Sequence, residues 1–90
     1  MFKYTTTTLE KIEGLLEEAG YVVRYEKGNF KAGYCILKDK RVIVINKYFI
    51  TESRINSLLD IIPILELDSS VMTEKSQLLF KQIIELQPAA

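Results

Sequence analysis

The stretch 25–47, YEKGNFKAGYCILKDKRVIVINK, decides how this 90-residue chain is read. Gly28 and Asn29 are turn formers, so KGN at 27–29 reads as a tight reversal, and Gly33 marks a second bend or a close backbone approach. YCILK at 34–38 and RVIVIN at 41–46 flank KDKR and read as a hairpin, although Asp39-Lys40 is a poorer turn pair than Asn-Gly or Asp-Gly. The uninterrupted apolar run 42–45 predicts a strand buried on both faces, near the middle of its sheet.

Working outward, YVVRY at 21–25 predicts a further strand, which makes the sheet three-stranded and mostly antiparallel. Upstream of it, Thr7 and Glu10 fit a capping box, and Leu9, Ile12, Leu15, Leu16 and Ala19 recur at helical spacing. Gly20 supplies a left-handed stop, so a helix is expected over residues 8–19, with Gly14 allowing close packing on the sheet. Downstream, Thr51 is the expected N-cap of a second helix. Glu52 suits its dipole, Ile55, Leu58, Leu59 and Ile62 share a face, and Pro63 kinks or stops it. LDSS at 67–70 breaks the chain before a last helix over 71–86, with Met72, Leu79, Phe80, Ile83 and Leu86 inward and Pro88 at its end. The fold class is α+β: an N-terminal helix, the sheet, then two C-terminal helices. All belong to one domain, residues 1–90, with a core over about 7–62 and a C-terminal helical extension over about 70–87.

Composition excludes much chemistry. With no histidine, Ser-His-Asp, Cys-His and H-E-x-x-H sites are unavailable, and the lone Cys35 cannot build a thiolate zinc site or an internal disulfide. Neither phosphate-binding glycine motif occurs. The remaining catalytic candidates are Cys35 beside Lys31 or Lys38, and Asp60 near Arg54. The latter two stand six apart on one helix, where they do not face each other. No enzyme, cofactor or metal is expected. Cys35 reads as a small apolar strand residue. The N-terminal residues lack the apolar core of a secretory signal, and no stretch has the roughly 20 apolar residues that span a bilayer, so a cytoplasmic protein without membrane contact is expected.

Charge is segregated. Residues 1–23 carry two cations against four carboxylates, residues 24–54 eight against three, and residues 55–90 two against five. The basic sheet region bounds the partners. Lys27, Asn29, Phe30, Lys31 and Tyr34 are the candidate contact patch for an acidic protein partner. Alternatively, Tyr25, Phe30 and Tyr34 beside Arg24, Lys27 and Lys31 could stack bases and neutralise phosphates. A nucleic-acid module usually has an overall basic balance, which this chain lacks. A chain this short buries only about 60% of its unfolded surface, so a homodimer is expected, through the last helix at Leu79, Phe80, Ile83 and Ile84. The reading that results is a non-catalytic interaction or regulatory module.

Lys27, Gly28, Phe30, Gly33 and Cys35, the strand 42–46 and Arg54 with Leu58 form the pattern K-G-x-F-x-x-G-x-C, V-I-V-I-N, R-x-x-x-L. In this the chain resembles a group of short uncharacterised bacterial proteins. The resemblance supports the fold boundary and implies no activity. A fainter similarity is to small zincin-type metallopeptidases, and it sets Leu59, Asp60 and Pro63 at the histidine, glutamate and histidine positions of H-E-x-x-H. That similarity implies a scaffold without its metal ligands.

Overall fold

The computed structural model describes residues 3–28 and 33–86. Its first helix, α1 (Thr6–Glu18), begins before the expected Thr7–Glu10 box. Thr5 is the N-cap, and its hydroxyl accepts from the Thr8 amide at 3.2 Å. Four consecutive threonines offer equivalent caps, so the pattern alone does not choose among them. The expected stop holds: Gly20 has φ 90°, its amide donates to Glu17 O, and the Tyr21 amide donates to Leu16 O. These two bonds are the Schellman pair that satisfies the last carbonyls of a helix.

Three strands follow, β1 (Val22–Glu26), β2 (Tyr34–Leu37) and β3 (Val42–Asn46), in the order β1-β3-β2. β3 is central, as its apolar run predicts. The sheet is mixed, which corrects the mostly antiparallel expectation: β2 pairs antiparallel with β3, but β1 pairs parallel, from Val22↔Val42 to Glu26↔Asn46. The cause is the path of the chain. β1 and β2 lie on opposite sides of β3, and the β2–β3 hairpin brings β3 back beside β1 in the same direction. KDKR closes that hairpin through a 3₁₀ turn, Lys38–Lys40, followed by Arg41 in the left-handed region at φ 53°.

The helices cover one face of this sheet. Val23, Tyr25, Tyr34, Ile36, Ile43 and Ile45 join the core with Leu9, Ile12, Leu15, Leu16, Ile55, Leu58 and Ile62. By the two-residue period of a strand, Val22, Arg24, Glu26, Cys35, Leu37, Val42 and Val44 point the other way. β3 is therefore not sandwiched between two helical layers. Val44 is buried by its flanking strands, and Val42 only partly.

α2 (Thr51–Ile61) has Ile50, not Thr51, at its N-cap and no side-chain cap bond. Pro63 ends it in a 3₁₀ turn, Ile62–Ile64. α3 (Glu74–Glu85) is shorter than expected, because residues 69–71 form a separate 3₁₀ turn and Thr73 caps the helix, accepting from the Ser76 amide. Met72 and Ile83 complete the same core as α1 and α2, so the C-terminal segment is built into the domain rather than added to it. Leu86, expected inward, is half exposed. Gly14 is not a close-packing site either: a Cβ there would meet nothing within 4 Å. Glu18 joins α1 to α3, accepting from the Thr73 amide at 2.6 Å and from the Ser76 hydroxyl at 2.7 Å, bonds that hold its carboxyl below the usual range.

Candidate functional site

At one end of the sheet, β1 and β3 finish and β2 begins. The Asn46 amide donates to Gly33 O at 2.9 Å and the Lys47 amide to Glu26 O at 3.1 Å, which joins the three strands there. Gly33 makes both the bend and the close approach: its φ is 83°, and a Cβ would enter the Phe49 ring. Only glycine meets both demands.

Arg54 organises the loop that leaves β3. Its Nε donates to Phe49 O and its Nη2 to Lys47 O, both at 2.9 Å, and its guanidinium lies over the Tyr25 ring, 4.3 Å from the centroid. The Tyr25 hydroxyl donates to Glu13 of α1. Burial first, and then this bond to a carboxylate, raise the Tyr25 pKa well above the ordinary phenol value. The phenol stays protonated at neutral pH and cannot act as a base there. Chemically, the Glu13–Tyr25–Arg54 line is a clamp from α1 through β1 to α2.

The residues singled out in the sequence are dispersed. Lys27 is exposed just beyond β1, while Tyr34 packs partly against the core; Asn29, Phe30 and Lys31 lie outside the described residues. Tyr25 is not the free stacking platform expected, since Arg54 covers one ring face and the core receives the side chain. Arg24 is exposed and pairs with Glu26 at 3.5 Å. Arg54 and Asp60 are not brought together: Asp60 is exposed and Arg54 serves the loop. Of the four candidate dimer residues on α3, Ile83 is fully buried within its own chain, Leu79 and Phe80 pack against the core, and Ile84 is exposed. Ile83 cannot contact a second copy while this core is intact. Leu59, at a position the zincin likeness assigns to a ligand, is a core residue. Among the described residues no three metal-ligating side chains converge, and no helix is long and apolar enough to cross a membrane.

What sequence reasoning missed is the uncovered sheet face. Val22, Val42 and Leu37 are register partners, so their side chains form one apolar row across all three strands at the hairpin end. Val22 is 51% and Leu37 42% exposed. The next row is Arg24, Val44 and Cys35, with the Arg24–Glu26 pair along one margin. The signal was present in VVRYE, where valine, arginine and glutamate alternate with valine and tyrosine. No protein family, curated protein or solved structure matches this chain.

Proposed function

We propose that this protein is a non-catalytic interaction module that receives a protein partner on the uncovered face of its sheet. The observation that carries the reading is the Val22–Val42–Leu37 row, three adjoining apolar side chains with no helix above them among the described residues. An apolar centre beside a charged margin is the anatomy of a protein interface, and contiguous exposed apolar surface on a small domain marks such sites. Three strands about 4.8 Å apart and five residues of about 3.3 Å rise give a face of roughly 15 by 16 Å. A face that small supports a weak or transient contact, at the low end of interface size. Base stacking is disfavoured by comparison, since Tyr25 has its ring under Arg54.

The test is a photo-reactive residue placed at Val22 or Val42 and irradiated in host cells. Discrete protein adducts that survive nuclease are expected from both positions and not from Glu10 on α1. Equal labelling from Glu10, or adducts that vanish with nuclease, overturns the reading.

A further inference from the structure

The two edges of the sheet differ in a way that points to one occupant. Gly33 O accepts from the Asn46 amide, so the pairs Gly33–Asn46, Cys35–Val44 and Leu37–Val42 exchange the hydrogen bonds between β2 and β3. Tyr34 and Ile36 therefore turn their N–H and C=O groups outward. On β1, the Val22 amide reaches Arg41 O and Glu26 O receives the Lys47 amide, which leaves Val23 and Tyr25 facing outward in the same way. Each edge offers two donors and two acceptors to a further strand.

Their side chains decide which edge can use them. Pairing β1 antiparallel with its counterpart in a second copy at full overlap would set Arg24 against Arg24 and Val22 against Glu26. Like charges directly opposed are destabilising, and a central edge arginine is how proteins prevent such pairing. β2 reads Tyr34, Cys35, Ile36, Leu37, with no charge and no proline. It lacks the protection that β1 has.

We propose that β2 pairs antiparallel with β2 of a second copy about a two-fold axis at Cys35, joining two three-stranded sheets into one of six strands. Tyr34 of each copy then exchanges two hydrogen bonds with Ile36 of the other, four in all, and the two Cys35 residues form the non-hydrogen-bonded pair between them. Tyr34 meets Ile36 on the helix side, an aromatic and β-branched cross-strand pair. The basic hairpin tips favour this direction over the parallel one. Lys38 lies three residues from the axis, so the two Lys38 backbones stand about 20 Å apart, well beyond a Debye length of about 8 Å. Parallel pairing would set the tips side by side. A shallow cavity lined by Ile36, Leu37, Lys38, Asp39 and Lys40 lies at the hairpin end of this strand. This inference concerns the edge and stands independently of the face proposed above.

Cys35 reports the geometry. A non-hydrogen-bonded antiparallel pair has Cα atoms about 4.5 Å apart, within disulfide range. Copper–phenanthroline, which removes two electrons and the two thiol protons, is expected to convert the purified protein to a covalent dimer. A Cys35→Ser, Leu37→Cys variant moves the thiol two residues off the axis, roughly 13 Å from its counterpart, and should form no covalent dimer under the same oxidant. A Cys35→Arg variant reproduces on β2 the arrangement of Arg24 on β1. Position 35 is partly exposed on the face away from the helices, so the variant should keep its circular dichroism while its dimer dissociation constant in sedimentation equilibrium rises at least tenfold. A monomer at all concentrations, equal cross-linking from positions 35 and 37, or a dimer unchanged in Cys35→Arg would each overturn the proposal.

Discussion

β1 and β2 flank the same central strand, yet they are held in place by different means. β1 is fixed by side chains from distant parts of the chain: Glu13 receives the Tyr25 hydroxyl and Arg54 covers the ring. β2 is fixed by backbone geometry at its two ends, by Gly33 at φ 83° where it begins and by the 3₁₀ turn, closed by left-handed Arg41, that follows it. A strand paired parallel to a partner twenty residues away needs long-range ties, whereas a hairpin strand needs only that its turns have the right hand.

The difference can be broken from either side. The largest effect should come from Gly33→Ala. A left-handed site costs a side chain about 1–2 kcal/mol, and overpacking against Phe49 adds a similar amount, so a loss of about 3 kcal/mol is expected in urea unfolding. Next is Arg54→Ala, which strands the Phe49 and Lys47 carbonyls and uncovers Tyr25. A loss of about 2 kcal/mol is expected, and hydrogen exchange should show β1 amides opening before those of the β2–β3 hairpin. If both variants open the two flanks equally, the contrast between them is wrong.

Two smaller changes leave both flanks alone and sharpen the contrast as controls. Gly14→Ala should stabilise by about 0.5–1 kcal/mol, because a mid-helix glycine is replaced where a methyl group meets only open space. Glu18→Gln should matter only through pH. The folded carboxyl has a lowered pKa, so its contribution is present at pH 7 and is lost as pH falls through and below the ordinary glutamate value near 4.3. The wild type and variant should thus differ in thermal midpoint at pH 7, and the difference should shrink as pH falls below the ordinary glutamate range. A constant difference across that range would count against the Glu18 link between α1 and α3.

The elements were largely legible and their arrangement was not. Gly20, Pro63 and the 42–45 run each act through local sterics or burial, which a short window of sequence contains. The parallel pairing of β1 depends on which way the chain turns after Lys27, and strand periodicity carries no sign of that direction. The site divides in the same way. The inward set of Tyr25 could be read from its alternation with Arg24, but the role of Arg54 could not, because its partners are carbonyls that every residue possesses. Lys38 and Lys40 sit in the turn where KDKR was expected to place them, and the charges that guard a strand are Arg24 and Glu26 on the opposite side of the sheet.

The order β1-β3-β2 also has a kinetic consequence. The β2–β3 hairpin closes a turn of four residues, an event on the scale of about 1–10 μs, while β1 cannot take its place until β3 exists to receive it. During synthesis α1 and β1 precede β3 and wait with the Val23 and Tyr25 side chains unpacked until the chain has been made past residue 54. The rate of folding should therefore respond to changes in Arg54, with the hairpin forming early. The first third of the molecule is the last to settle.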